Sequence, residues 1–295
     1  MARLNNIFLK GILLADPHII RDEKTTYARA SIIVARDHRK VENGIHHMMT
    51  DRPYLISTEP QIVDVMEQLN GYDIVSVKGV VTTRMIQKKT FCTECGLENT
   101  VPGTVTFVTP IFIEKCGSVN NADEGMEYLS NIRPLSNILS VYGMLTRDPK
   151  KISPKSGLTV SQYQMALNRS YIIRDDPPEV RSDYPWVKSY GSKAEEDRYR
   201  LKKNSIVHID GYLQTRNVKK YTICSHCNKR YDWTDKAMEI VPFETEYMFN
   251  YRSDEEIEEL KASRLKSSLD QMFGEDVITD EDIAAGMDDY SEDDE

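Results

Sequence analysis

Two short cysteine pairs are the strongest chemical signal in this chain: Cys92-x-x-Cys95, followed by Gly96, and Cys224-x-x-Cys227, followed by Asn228. A Cys-x-x-Cys turn ending on Gly or Asn has the shape of a zinc knuckle, because the backbone takes φ > 0 just beyond the second thiolate. One knuckle brings two ligands and tetrahedral zinc takes four, so two knuckles in equivalent places complete one site. The same spacing serves redox chemistry elsewhere, but here it lacks the βαβ setting of a thioredoxin-like site. A pair that holds no metal is the third reading. Cys116 has Met248 in its equivalent place and reads as a lone thiol. His46 and His47, with His38 nearby, lack a further ligand at helical spacing and read as a solvated loop. The chain has no GxxxxGK[ST], GxGxxG, HExxH or GxSxG motif, nominates no catalytic residue and reads as a non-enzyme.

A second pattern suits nucleic acid. A period of two along residues 183–190 puts Tyr184, Trp186, Lys188 and Tyr190 on one strand face. Asp183, Pro185, Val187 and Ser189 fall on the other. Three aromatics interleaved with a lysine fit a run of stacked bases with phosphates alongside. The competing reading is a core of rings with Lys188 snorkelling at its edge. Arg84 and Arg216 each stand five residues past a strand glycine, and Arg36 and Arg169 lie near the ends of an earlier strand. Singly each reads as a solvated charge. Together they suit a groove that tracks a phosphate backbone.

These residues are positioned by a duplication. Asn5, Gly11, Leu13, Asp16 and Pro17 recur as Asn137, Gly143, Leu145, Asp148 and Pro149, an offset of 132 residues. Val75, Gly79, Thr83, Arg84, Lys88, Thr90, Cys92, Cys95 and Pro110 recur at the same offset. The register sets Arg52 in the place of Tyr184 and Tyr54 in the place of Trp186, so the first unit keeps a single aromatic of the row. The units span 1–118 and 133–250, with a polar joint at 119–132. Each reads as strands at 7–14 (138–145), 26–35 (159–168), 52–57 (183–190) and 104–113 (237–245), with a helix at 59–69 (192–202). A further strand carries Val75, Val77, Gly79 and Val81, repeated as Val207, Ile209, Gly211 and Leu213, with the glycine marking a bend or close backbone approach. Five strands with a helix between the third and fourth is the OB pattern. The expected fold is therefore all-β: two tandem five-stranded OB-type barrels and an acidic tail. A pair of β-sandwiches is the alternative.

Charge is segregated in the same way. The net charge is −9, yet residues 253–295 hold 17 acidic and 3 basic side chains while the rest holds 30 and 35. The body is mildly basic and the tail carries the acid, which points to an interaction role. Ile257, Leu260, Leu265, Leu269 and Met272 stand at helical spacing, so a short helix is expected before a disordered, acidic end. Five cysteines, no export signal and no membrane-length apolar run imply a reducing, cytoplasmic setting.

The second unit resembles the bacterial and phage single-stranded DNA-binding proteins. The resemblance lies in NILSVYGMLTRDP (137–149), YQMALNRSY (163–171) and SDYPWVKSYGSKAEEDRYRLKKNSIVHIDGYLQTR (182–216), in family order. The first unit keeps NNIFLKGILLADP (5–17) and YDIVSVKGVVTTR (72–84). The resemblance implies base-stacking aromatics at Tyr171, Tyr184 and Tyr190, and sequence-tolerant binding of single-stranded DNA in replication, recombination or repair. It also implies assembly, for which a homodimer of tandem units and a monomer are the two alternatives, and partner proteins recruited by the acidic tail. The family's tail ends in an apolar tip that this chain lacks, and ordinary members lack the four cysteines. The rival reading is a zinc-stabilised protein-interaction module of a phage or mobile-element replication complex.

Overall fold

Strands form where apolar residues alternate, and several run beyond the apolar pattern. β1 (Asn5–Leu13), β2 (His18–Arg21), β3 (Thr26–Glu42), β4 (Ile45–Asp51) and β5 (Tyr54–Ser57) precede helix α1 (Pro60–Glu67), β6 (Asp73–Phe91) and β7 (Glu98–Ser118). Helix α2 (Ala122–Ser136) leads to β8 (Asn137–Leu145), β9 (Lys150–Ile152), β10 (Val160–Asn168), β11 (Ser182–Asp183) and β12 (Trp186–Tyr190). Helix α3 (Gly191–Arg200), β13 (Ile206–Ile223), β14 (Arg230–Phe249) and helix α4 (Asp254–Phe273) complete the order. The computed structural model describes residues 3–22, 26–42, 45–152, 158–174, 176–177, 179 and 181–273, with backbone alone at 38–42, 45–47 and 268–273. The side chains of His38, His46 and His47 and the expected disordered end at 274–295 lie outside what is described.

Two rings of strand pairing repeat one another. β1 pairs with β3 and β6, β3 with β5, β5 runs parallel to β7, and β7 closes on β6. β8, β10, β12, β14 and β13 make the same circuit. The central glycines sit where the strand bends: a Cβ at Gly79 would meet the Thr109 carbonyl oxygen at 2.5 Å, and one at Gly211 would meet that of Val241 at 2.2 Å. Both fall at a register shift, where only a hydrogen lets the backbones approach.

Between the rings, β1 and β8 pair antiparallel, with Ile7 opposite Leu139, Asn5 opposite Val141 and Leu9 opposite Asn137. Ile7 and Leu139 are repeat equivalents, so the seam is self-complementary about them, as a two-fold contact is. All fourteen strands join one sheet network, β4 through its pairing with β3. One hydrophobic cluster runs through both rings, including Leu9, Val77, Val141 and Ile209. Residues 1–251 accordingly form one compact unit, and 252–295 are a second.

The expected joint is a helix for most of its length. Asn121 caps α2 by accepting from the Glu124 N–H at 3.0 Å, and Glu124 accepts in return from the Asn120 N–H at 2.9 Å. Leu129 is buried among Ile12, Ala35, Ile74 and Val119. Ser136 accepts from the Ala35 N–H and donates to the Lys10 carbonyl, which pins the helix to the first ring. In the second unit, Ser253 and Glu256 form a reciprocal cap at the start of α4. Among the described residues no helix is long and apolar enough to cross a membrane.

Candidate functional site

The expected strand at 183–190 is interrupted at Tyr184 and Pro185, between β11 and β12, and its outer face is graded from open to closed. Asp183, Val187 and Ser189 point into the core and are fully buried. On the opposite face Tyr184 is 46 % exposed, Trp186 and Tyr190 are half-buried, and Lys188 is buried. The Tyr184 carbonyl accepts from Gln164 Nε2 at 3.1 Å, and the Arg147 guanidinium lies 5.3 Å from the Trp186 ring centroid. Tyr190 donates its hydroxyl to Gln214 Oε1 at 3.0 Å, and burial pushes its pKa up. Tyr171 is half-buried, and burial raises its pKa too. Aromatic surface is thus presented chiefly by Tyr184 and Trp186.

The structure gives most of the expected phosphate-tracking cations carboxylate partners. Lys188 lies 3.4 Å from Glu239, and burial lowers its pKa. The same Glu239 takes both donors of Arg216 at 2.7 and 2.8 Å. Arg84 meets Asp176 at 2.7 Å and lies over the Phe107 ring. Arg36 is buried against Asp51, and Arg169 is buried against Asp176 and Asp183. These two arginines do not line a groove.

Instead they brace a contact between the repeats. Asp183 accepts from the Thr83 N–H at 2.7 Å, and Asp51 accepts from the Thr215 N–H at 2.6 Å. Asp51 and Asp183 are 132 residues apart, as are Thr83 and Thr215. A guanidinium buried beside a carboxylate in this way neutralises it in a low-dielectric setting. Arg52 is exposed and its backbone N–H donates to Thr215 Oγ1 at 2.9 Å, as that of Tyr184 does to Thr83 Oγ1. Tyr54 lies beneath Lys236, whose ammonium is 4.2 Å from the ring centroid. A cavity of about 750 Å³ opens where the repeats meet, lined by Thr83, Arg84, Met85, Gln164 and Tyr184 among others.

Beyond Thr83 and Thr215 the paired strands β6–β7 and β13–β14 continue as two-stranded arms. The arms pack face to face: Lys88 and Lys220, repeat equivalents, converge on Asp235 at 2.7 and 2.5 Å, and Thr90 and Tyr231 share a hydrogen bond at 2.6 Å. Against the burial that would raise it, the Lys220 and Lys88 ammoniums hold the Asp235 pKa below the usual carboxylate range. No residue in the first repeat matches this aspartate, since Gly103 stands there, so the repeat register carries no trace of it.

At the arm tips the four cysteines converge. Cys92 and Cys227 sulfurs are 3.8 Å apart, Cys95 and Cys224 sulfurs 3.7 Å, and all four lie within 4.8 Å of one another. Four sulfurs about 2.3 Å from a tetrahedral zinc would stand about 3.8 Å apart, so the cluster fits that ion. Gly96 and Asn228 take φ of +73° and +56°, as the knuckle reading requires. The Glu94 and His226 N–H groups and Asn99 Nδ2 each donate to a cysteine sulfur at 3.4 Å. Despite desolvation, the N–H groups of Cys227 and His226 pull the Cys224 thiol down, while, against the Leu97 N–H, desolvation and the neighbouring sulfurs push Cys95 up.

With that geometry in view, residues 136–231 match the family model "Single-strand binding protein family". The single-stranded DNA-binding protein 1 of Staphylococcus aureus is 35% identical over 75 residues, which is 25% of this chain and 47% of that protein. The single-stranded DNA-binding protein of Bacillus cereus is 31% identical over 83 residues, 28% of this chain and 48% of that one. The chain spans about half the length of the curated relatives it matches. The wild-type single-stranded DNA binding protein from Thermus aquaticus superposes with a TM-score of 0.55 at 17% identity, covering 86% of this chain and 97% of that one. A deletion mutant of the same protein gives 0.57 at 18%, covering 86% and 100%. These structures establish likeness of fold.

Proposed function

We propose, from the match of residues 136–231 to the single-strand binding protein family, that this chain binds single-stranded DNA without sequence preference and has no catalytic role. The observation that carries the reading is the pair of rings Tyr184, in the break between β11 and β12, and Trp186, the first residue of β12, inside the matched segment. Bases stack on these rings because every base has a π-face, while Arg147, beside Trp186, meets the passing phosphates. Tyr171, Tyr190 and Tyr54 widen the aromatic surface. Arg52, Arg84 and Arg216 contribute where their guanidiniums reach solvent. Lys188, Arg36 and Arg169 act by fixing the strand and the junction that carry the rings.

On this reading each strand ring is one OB-type barrel, residues 1–118 and 133–250, and a homodimer assembles four of them. The protein serves replication, recombination or repair in the cytoplasm. Zinc held by Cys92, Cys95, Cys224 and Cys227 ties the two arms at their tips. The supports are the sulfur spacing and the N–H donors around it. When bound, the ion supplies structural cross-linking and no reaction. The acidic tail competes with DNA for the cationic surface and recruits partner proteins, as its segregated charge suggests. The family match favours DNA over the protein-interaction module.

Fluorescence titration with homopolymer single strands tests the core of this proposal. Trp186 emission should be quenched, affinity should fall steeply with salt, and duplex should bind far more weakly. Tyr184→Ala and Trp186→Ala should each cost about 1–3 kcal/mol of binding with the fold intact. Equal affinity for duplex, or unchanged binding by both variants, would overturn it.

A further inference from the structure

The two arms are repeat equivalents, but their outward faces differ in charge and aromaticity. Strand alternation turns Lys88, Thr90 and Cys92 of the first arm, and Lys220, Thr222 and Cys224 of the second, toward the arm contact. The residues between them face out. On the first arm these include Gln87, Lys89, Phe91 and Glu98, and Lys89 is paired with Glu98 at 2.9 Å. On the second arm the equivalents are Lys219, Tyr221, Ile223 and Arg230. Tyr221 is 64 % exposed, and the Arg230 guanidinium lies 3.8 Å from its ring centroid. Lys236 shares this face and lies over Tyr54 of the first repeat. Three cations against one carboxylate, Asp232, leave the second arm's outward face positive, whereas the paired Lys89 and Glu98 leave the first arm's neutral.

We infer that the outward face of the second arm is a further single-strand binding surface, continuing the path from Tyr54. Tyr221 is the stacking platform, with the Arg230 guanidinium 3.8 Å from its ring centroid, within the distance at which a base stacks on a ring. Lys236, Lys219 and Arg230 meet successive phosphates. The seven residues from Arg230 to Lys236 extend over about 20 Å of strand, room for a few nucleotides. This answers an asymmetry in the repeat: the first unit has only Tyr54 where the second has a row of aromatics, and the arm that reaches it comes from the second unit. A flat cationic ribbon with a single stacked aromatic suits a polyanion better than a protein partner, which would favour an apolar centre.

The inference rests on the single-strand binding reading, so the test separates the two. In the full-length protein, nucleotides occluded per chain on poly(dT) and affinity for a short oligo(dT) are compared across variants. Tyr221→Ala should shrink the occluded site by a few nucleotides and weaken binding by roughly fivefold, without lowering the melting temperature. Lys219→Gln with Arg230→Gln should reduce the slope of log affinity against log salt by about 1.4. Lys89→Gln, on the equivalent arm face, should change neither quantity. If Tyr184→Ala weakens binding while the Tyr221 and Lys219/Arg230 variants match wild type, the arm surface is refuted and the general function stands. If the wild-type protein fails to bind single strands, both fall.

Discussion

The residues that hold this molecule together come in equivalent pairs. Asn5 donates to the Val81 carbonyl at 2.8 Å and accepts from its N–H at 2.9 Å; Asn137 does the same with Leu213 at 2.8 and 3.1 Å. Both amides are buried and replace a missing stretch of ladder at the start of β1 and β8. Asn137→Ala strands a buried carbonyl and N–H together, so chemical denaturation should show a loss of about 2–4 kcal/mol. A loss under 1 kcal/mol would mean that the bonds are replaced by water. Asp183 gives a pH signature. Burial pushes its pKa up to about 6, although the Thr83 N–H and Arg169 pull the other way. A carboxyl that binds its proton more tightly when folded adds stability as pH falls from about 6 toward its unfolded value near 4. Asp183→Asn, which carries no charge, should therefore be less costly at pH 7 than at pH 4. A cost independent of pH in that interval would refute the sign.

At the scale of elements, the arms are what the apolar pattern under-reads. The sequence predicts a strand ending near Ile113 that starts at Thr104, yet β7 begins at Glu98 and β6 runs on to Phe91. Along the arms the apolar residues do not mark a buried face: Met85, Phe91 and Leu97 are exposed while Lys88 and Thr90 turn to the other arm, so a search for apolar alternation stops short of them. Their cohesion comes from Asp235, the Thr90–Tyr231 hydrogen bond and the cysteines. Elemental analysis of protein purified without chelator should give one zinc per chain, and chelation should lower the melting temperature by releasing the tips. A ratio near two would assign each knuckle other ligands, and one near zero would leave the pairs metal-free. The joint at 119–132 carries one short-range signal for its helix, the Asn121-x-x-Glu124 cap.

For the whole chain, charge is the governing quantity. Residues 253–295 carry a net −14 and the remainder +5. Two polyanions that seek the same lysines and arginines exclude one another, and salt screens that competition. Truncation after Tyr251 should tighten single-strand binding at low salt and leave it unchanged at high salt. Identical low-salt binding by the truncated and full-length chains would place the tail's role elsewhere.

The sequence by itself determined what is local or carried by register. The 132-residue offset is carried by register alone, while the bending glycines and the positive φ beyond each second cysteine follow from short-range backbone constraints. It also determined the alternation that turns Tyr184 and Trp186 outward. Only the tertiary structure decided which charges face solvent. Arg36 and Arg169 read as groove cations in one dimension because a carboxylate partner fifteen residues away, as Asp51 is from Arg36, leaves no periodic trace. The same holds for Lys188 and Arg216, which meet at Glu239 only once β12, β13 and β14 lie side by side. A buried ion is tolerated only where folding brings its counter-ion within a few ångströms. That meeting is a property of three-dimensional packing, so the seam at Ile7 and Leu139 and the pairing across it had to be seen folded.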